Sequence, residues 1–187
     1  PISSKALLAA SGRVRELQDS HHLESLGINI GNVNFDRATI AGHAQNLVEK
    51  IRGDMSNSLD RLKVDTINGW GKVVAPQKVS ILTEEGEKTI TGENIILSPG
   101  STPFVPPGIQ IDGKTVYTSD DALKLSWIPD WIAIIGSGYI GLEFSDIYSA
   151  LGSEITMIEA LDNLMPGFDR DIAKIAERVL IKPRDIE

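Results

Sequence analysis

The chain has 187 residues, a formal net charge of −8, no cysteine and 41% hydrophobic residues. That hydrophobic content allows a packed core and argues against general disorder, while an acidic chain without a basic cluster is a poor binder of nucleic acid. The missing cysteines exclude a disulfide scaffold, a cysteine-ligated metal site and thiol chemistry by these residues. No apolar run reaches the roughly 18 residues of a membrane span, and the first residues do not resemble a signal peptide. A soluble, intracellular α/β chain is the expected class.

The first third of the chain is predicted to be helical. Apolar residues recur at helical spacing over 4–17, and Asp36 is the predicted N-cap of a long helix that extends to about residue 63. An apolar stripe on the long helix is predicted to face the core. A coiled coil or a partner helix is the alternative, and Gly42 and Gly53 within the helix argue against it. Between the helices, His21 and His22 are predicted to be exposed linker residues, so no metal site is predicted. The stripe comprises Ile40, Ala44, Leu47, Val48, Ile51, Met55, Leu59 and Leu62.

The middle of the chain changes to the pattern of short strands. Strands are predicted over 64–67, 71–75, 79–82, 88–91 and 94–97, and the Glu85-Gly86 step predicts a hairpin within a small antiparallel β meander. A proline-rich stretch from Pro99 then predicts a non-helical connection. We expect the domain boundary at the end of this stretch, with one domain over 1–117 and a second over 118–187.

The most specific signal is a glycine motif placed between a strand and a helix. Residues 131–135 form a continuous apolar run, as expected for a buried parallel strand. The following helix is predicted to bury Ile140, Phe144, Ile147, Tyr148 and Leu151, with Gly152 at its C-terminal end. A second β run ends at Glu159, about 20 residues after the glycines, which completes the fingerprint of a Rossmann dinucleotide site. The motif itself reads Gly136-Ser137-Gly138-Tyr139-Ile140-Gly141.

The chemistry of a dinucleotide gives each of these residues a predicted role. Gly136 permits the tight turn, Gly138 lets the backbone approach a pyrophosphate, and Gly141 allows close packing of helix on strand. The positive end of the helix favours the anionic pyrophosphate. Glu159 is expected to accept hydrogen bonds from the 2′- and 3′-hydroxyls of the adenosine ribose and to repel a 2′-phosphate. Because no Lys or Arg lies between Glu159 and Gly167, we predict NAD rather than NADP; a glycine-rich turn that binds nothing is the alternative.

A last amphipathic helix is predicted over 169–181, and Pro183 is expected to stop it. Its predicted inward residues are Ile172, Ile175, Ala176, Val179 and Leu180. A complete Rossmann domain needs further strands after this helix. The expected fold class is therefore α/β, with partial FAD/NAD(P)-binding domains of Rossmann-like, three-layer type and a small antiparallel β meander.

At these residues the chain resembles the flavoprotein disulfide reductases, which form the pyridine nucleotide-disulfide oxidoreductase family, and among them the dihydrolipoyl (lipoamide) dehydrogenases. The resemblance covers essentially the entire chain and implies an internal segment, from just after the redox disulfide to the middle of the NAD domain. A relative of glutathione or mercuric reductase is the alternative within this class, and Glu159 argues against its NADP-using members. Beyond the glycine motif, the matching stretches are Ala150-Leu151-Gly152-Ser153, Ile158-Glu159-Ala160 and Met165-Pro166-Gly167-Phe168-Asp169.

The resemblance also implies roles for single residues of the catalytic region. Lys5 resembles the lysine near flavin N5, and Glu143 resembles the glutamate that pairs with it. Tyr139 resembles an aromatic residue that covers the nicotinamide pocket in some relatives. Matching Lys5 places the second redox cysteine of the family at Pro1, so neither redox sulfur nor the His base is present and no catalytic residue is assigned. The implied NAD-binding residues are Gly136, Ser137, Gly138, Tyr139, Ile140, Gly141, Glu143 and Glu159.

Two further stretches resemble FAD contacts of this family. Gly69-Trp70-Gly71 resembles a Gly-aromatic-Gly turn whose backbone lies against the adenine of FAD. Pro99-Gly100-Ser101 stands where the family usually has Thr-Gly-Ser, and the change to Pro99 removes a hydroxyl and an N–H group. A structural β-turn is the alternative for both stretches. The implied FAD contacts are Lys5, Trp70, Gly71, Gly100 and Ser101.

For the parent enzyme, the resemblance implies an oxidoreductase that converts dihydrolipoamide and NAD⁺ to lipoamide and NADH through a disulfide and FAD. It further implies a homodimeric flavoprotein of cell redox homeostasis that serves 2-oxoacid dehydrogenase or glycine cleavage complexes, in a bacterial cytoplasm or a plastid stroma. We expect the 187 residues by themselves to be catalytically inactive, because the sulfurs and the base are missing. A non-catalytic NAD-binding fragment and a self-associating fragment with open sheet edges are the alternatives from other classes.

Overall fold

The structure, a computed structural model, describes residues 2–184 and 186–187. Pro1, which the resemblance matches to a redox cysteine, lies outside these residues. Two compact units are present: the first comprises Pro1–Lys50 and Val105–Glu187, and the second comprises Ile51–Phe104. The predicted domains 1–117 and 118–187 divide the chain differently and stay a prediction. The α/β class with a small antiparallel sheet is confirmed.

The two predicted helices are present as α1 at Ile2–Gln18 and α3 at Arg37–Arg61. A short helix that was not predicted, α2 at Ser20–Ser25, lies between them, so His21 and His22 are exposed helix residues and not part of a linker. Asp36 is confirmed as the N-cap of α3, since its carboxylate accepts a hydrogen bond from the Thr39 N–H at 2.7 Å. The described part of the chain contains no helix that is both long and apolar enough to cross a membrane.

The apolar stripe of α3 is only partly a core face. Ala44 is buried and Ile40 packs against the core of the first unit. Met55 and Leu59, in the second half of α3, and Leu62, directly after its end, are exposed. The core prediction is therefore wrong for this half, because periodicity identifies the apolar side of a helix but not whether another element covers that side.

The second unit contains a three-stranded antiparallel sheet in the order β1-β2-β3, with β1 at Trp70–Ala75, β2 at Lys78–Thr83 and β3 at Gly86–Thr91. The predicted hairpin is confirmed, since Thr83 pairs with Gly86 across a two-residue turn. The strands predicted over 64–67 and 94–97 are wrong, because both stretches lie outside the ladders. Residues of β type form a strand only where a neighbouring strand satisfies their backbone groups.

The first unit contains α4 at Ser119–Ala122 and then a parallel β-α-β arrangement. Strand β4 at Trp131–Ile135 pairs with β5 at Glu154–Ile158, and α5 at Tyr139–Ala150 connects them. Helix α6 at Arg170–Ala176 follows, then a π-helical turn at Glu177–Ile181 and a 3₁₀ turn at Lys182–Arg184. Gly152 ends α5 with φ +104°, as predicted.

In the core of the first unit, α5 packs on β4 and β5, and α1 packs on α5. Leu7 of α1 and Ile147 of α5 are fully buried at its centre. The apolar run of β4 is covered on one face only: Ile132 and Ile134 pack against the core, whereas Trp131 and Ile135 are exposed. The prediction that β4 is buried on both faces is therefore wrong for the described residues.

Two further inward predictions fail at the helices of the first unit. Ile140, at the start of α5, is exposed, while the other four predicted residues of its face are buried. On the last helix Ile172, Ile175 and Val179 are exposed, and Ala173 is the buried residue instead. The apolar pattern is present in both cases, but it does not show which of its positions another element covers.

Candidate functional site

The glycine motif forms a tight turn between β4 and α5. Gly136 has a φ of +103°, a conformation that L side chains rarely adopt, so the turn requires glycine at this position. Its N–H donates to the Ile158 carbonyl at 2.8 Å, which ties the turn to the end of β5. Both strands therefore end at the edge of the sheet where a Rossmann fold binds its ligand.

Close packing of α5 on this turn depends on Gly141. A Cβ atom at Gly141 would lie 2.1 Å from the Gly136 carbonyl oxygen and 3.4 Å from Cγ2 of Ile134. The nearer atom belongs to the backbone and cannot rotate away. The absence of a side chain at Gly141 therefore lets the first turn of α5 sit directly against the end of β4.

Gly138 differs from these two glycines because nothing surrounds its missing side chain. Its φ of −67° and ψ of 175° are ordinary for any residue, and a Cβ atom there would meet nothing within 4 Å. Gly138 is also the N-cap of α5, and the first intrahelical bond runs from the Leu142 N–H to the Gly138 carbonyl at 3.0 Å. The preceding N–H groups have no intrahelical partner. An open backbone surface with free donors at a helix N-terminus suits an anion.

Glu159 follows β5 and points back to this turn. Its Oε2 accepts hydrogen bonds from the Ser137 N–H at 2.9 Å and from the Ser137 hydroxyl at 2.6 Å, and its Oε1 accepts one from the Leu161 N–H at 3.0 Å. These bonds, above all that of the Ser137 hydroxyl, hold the pKa of the Glu159 carboxyl below its ordinary value. Glu159 is therefore an ionised acceptor at neutral pH, beside the glycine turn.

Ser137 and Met165 complete this corner, and sequence reasoning did not find their contacts. Ser137 is fully buried, and its carbonyl and hydroxyl oxygens accept hydrogen bonds from the Met165 N–H at 3.2 and 3.3 Å. The segment after β5 thus folds back onto the turn. Ser137 occupies a variable position of the motif and Met165 lies 28 residues away, so no local pattern signals this contact.

The structure also brings Lys5 and Glu143 together. The Lys5 ammonium on α1 forms an ion pair with the Glu143 carboxylate on α5, with Lys5 mostly exposed and Glu143 mostly buried. One turn later on α5, Asp146 pairs with Arg15 of α1 at 3.0 Å. Two ion pairs therefore join the same two helices. Tyr139, at the start of α5, is exposed and makes no contribution to the core.

The other residues with implied FAD contacts lie in the second unit. Trp70 begins β1 and is 84% exposed, and Gly71, Gly100 and Ser101 are also exposed. Gly69 has a structural explanation, because a Cβ atom there would lie 2.5 Å from the Leu82 carbonyl oxygen of β2. The implied FAD contacts of the second unit therefore lie at the surface.

Comparisons with known proteins identify the family of the chain. A family described as pyridine nucleotide-disulphide oxidoreductase matches residues 1–187. The chain is 66% identical over 186 residues to dihydrolipoyl dehydrogenase of Synechocystis sp., covering 100% of this chain and 39% of that protein. It is 58% identical over 186 residues to dihydrolipoyl dehydrogenase 2, chloroplastic, of Arabidopsis thaliana, covering 100% of this chain and 32% of that protein. It thus spans less than half the length of either relative.

A solved structure, LpdA from Mycobacterium tuberculosis, superposes with a TM-score of 0.82 at 24% identity, over 100% of this chain and 40% of that one. At this level of identity the superposition shows that the two chains share a fold.

Proposed function

Because the chain belongs to the pyridine nucleotide-disulphide oxidoreductase family, we propose that it is the segment of a dihydrolipoyl dehydrogenase that carries the NAD-binding glycine motif. The activity proposed for the whole protein is the oxidation of dihydrolipoamide to lipoamide with reduction of NAD⁺ to NADH. The observation that carries NAD binding is the open space over Gly138, where a glycine with ordinary backbone angles leaves room that no protein atom fills. A diphosphate fits such a space, since it needs close approach to backbone N–H groups.

The residues around this space suit the adenosine diphosphate half of NAD. Free N–H groups at the start of α5 bind the pyrophosphate, and the ionised Glu159 accepts hydrogen bonds from the ribose hydroxyls. The same carboxylate repels a 2′-phosphate, and the segment from Glu159 to Gly167 has no cation to receive one. NAD itself supplies the nicotinamide that accepts a hydride.

Lys5 and Glu143 are proposed to serve the flavin side of the whole protein. The ion pair fixes the Lys5 ammonium at one place on α1. An ammonium beside the flavin favours its reduced, anionic form, and the carboxylate restrains the lysine. The 187 residues contain no cysteine, so we expect them to show no dihydrolipoamide-dependent NADH formation above a control without protein.

The setting proposed for the whole protein is supported by its relatives. We propose a homodimer that serves a 2-oxoacid dehydrogenase or glycine cleavage complex and maintains cell redox homeostasis. A bacterial cytoplasm or a plastid stroma is the proposed location, since the relatives named above are cyanobacterial and chloroplastic. The glutathione and mercuric reductase alternative is not favoured, because both of those relatives are dihydrolipoyl dehydrogenases.

An NAD⁺ titration followed by tryptophan fluorescence tests this proposal. We expect a saturable signal in the wild type and at least ~10-fold weaker binding in Gly138→Ala, because the new methyl group occupies the pyrophosphate space. Gly42→Ala in α3 is the matched control, since a Cβ atom there also meets nothing within 4 Å. The proposal is wrong if the wild type gives no saturable signal, or if Gly138→Ala binds as the wild type does.

A further inference from the structure

Ser137 forms hydrogen bonds to the carboxylate of Glu159 and to the backbone of the loop at Met165. Its hydroxyl donates to Glu159 Oε2 at 2.6 Å and accepts from the Met165 N–H at 3.3 Å, while its own N–H donates to the same Oε2 at 2.9 Å. The side chain is fully buried. Ser137 therefore cannot touch a bound nucleotide with its hydroxyl, and any effect of that hydroxyl on a ligand is transmitted through Glu159.

We propose that Ser137 is a positioning residue that clamps the Glu159 carboxylate and thereby sets the preference of this site for an unphosphorylated ribose. The inference rests on the proposed function of the site in NAD binding. A glutamate at the end of a strand has three rotatable side-chain bonds, and holding it in place before binding removes an entropic cost of recognition. Two donors on Oε2 and the Leu161 N–H on Oε1 provide that restraint from both ends of the carboxylate.

The hydrogen bonds that hold the Glu159 carboxylate, here called the clamp, favour an unphosphorylated ribose because their donors are neutral. The groups that face the carboxylate are the hydroxyl and N–H of Ser137 and the N–H groups of Ala160 and Leu161. An arginine or lysine clamp would hold the carboxylate equally well but would cancel its charge. With neutral donors the full negative charge stays fixed beside the ribose, where it rejects a phosphate. A carboxylate released from Ser137 can rotate away and tolerate the phosphate.

Met165 also holds Ser137 in place. Its N–H is shared between the carbonyl oxygen of Ser137 at 3.2 Å and the hydroxyl oxygen at 3.3 Å. The hydroxyl donates its own proton to Glu159, since an ionised carboxylate only accepts. The loop after β5 therefore contributes to the clamp although none of its side chains takes part.

The test compares Ser137→Ala with Ser145→Ala and the wild type. Ser145 is an equally buried serine of α5, but its hydroxyl donates only to the Leu142 carbonyl of its own helix at 2.9 Å. The first readout is the ratio of the NADP⁺ and NAD⁺ dissociation constants. We expect this ratio to fall by about tenfold in Ser137→Ala, the loss typical of a hydrogen bond to a charged group, and to stay unchanged in Ser145→Ala.

The second readout needs no nucleotide. An NMR titration measures the pKa of the Glu159 carboxyl, which should rise toward its ordinary value in Ser137→Ala and stay low in Ser145→Ala. In the wild type, the amide signal of Ser137 should titrate with the same pKa as Glu159, so the clamp is testable even if Ser137→Ala does not fold.

The outcomes separate the two proposals. If the wild type binds neither NAD⁺ nor NADP⁺, the proposed function is wrong, and the proposed selectivity for an unphosphorylated ribose is wrong with it. A wild type that binds NAD⁺, together with a Ser137→Ala variant that keeps its nucleotide ratio or weakens both nucleotides equally, overturns only the role of Ser137. A Glu159 pKa that does not respond to Ser137→Ala, or a Ser137 amide that does not respond to Glu159, overturns the clamp itself.

Discussion

Three glycines of one motif are explained in three ways. Gly136 has a positive φ of +103°, and Gly141 has no room for a Cβ atom beside the Gly136 carbonyl. Gly138 is neither strained nor crowded. Folding therefore requires glycine at the first two positions but not at the third, where an N-cap accepts glycine as well as Ser, Thr, Asp or Asn. Close approach of a ligand is a reason for glycine there that applies only to the bound state.

Alanine substitutions at Gly141 and Gly138 should differ in their effect on the free energy of unfolding. We expect Gly141→Ala to lower the free energy of unfolding by about 1–3 kcal/mol, because the backbone must move to admit the methyl group. Gly138→Ala should stay within about 1 kcal/mol of the wild type, since its backbone angles suit alanine. Urea denaturation followed by circular dichroism measures both values. Equal destabilisation by the two variants would contradict this account of the turn.

At the scale of elements, helices with similar apolar patterns have different surroundings. Helix α5 buries Phe144 and Ile147 against α1 and the sheet, whereas the last helix leaves Ile172 and Ile175 exposed. The difference lies in the elements that pack on each helix, since both faces have apolar residues three or four positions apart. An apolar face contributes to stability only where it is removed from water.

Because the two helices differ in burial, the same isoleucine-to-alanine substitution should cost different amounts of unfolding free energy. Ile147 is fully buried, so Ile147→Ala should cost about 2–5 kcal/mol of unfolding free energy. Ile175 is 48% exposed, and Ile175→Ala should cost less than about 1 kcal/mol. Thermal and urea unfolding of the two variants provide the comparison. A large loss in Ile175→Ala would mean that the exposed face of the last helix is covered in solution.

At the scale of the whole molecule, the two compact units differ in their buried cores. The first unit has a continuous apolar cluster around Leu7, Ile147 and Tyr148. In the second unit, Ile81 is the buried hydrophobic residue of the sheet. A three-stranded sheet with so little apolar burial gains little from its own packing, so its backbone hydrogen bonds open at a low free energy.

Hydrogen exchange measures this contrast directly. We expect amides of β1, β2 and β3 to exchange much faster than those of α5 and β5, because local opening of the sheet exposes little apolar surface. Peptide-resolved exchange with mass spectrometry gives both rates in one sample. Equal protection of the two units would indicate that the sheet is stabilised by something beyond its own packing.

Local rules of the chain were enough to predict the strand-turn-helix unit at residues 131–151, the N-cap at Asp36, the hairpin before Gly86 and the glycine that ends α5. Backbone angles and periodicity act over a few neighbouring residues, so the sequence by itself determined these features. The burial of an apolar face and the pairing of strands depend on segments that are distant in the chain. Only the tertiary structure therefore decided that 64–67 and 94–97 are not strands, which apolar faces are buried, and that Ser137 meets Glu159 and Met165, because each of these depends on groups that folding brings together.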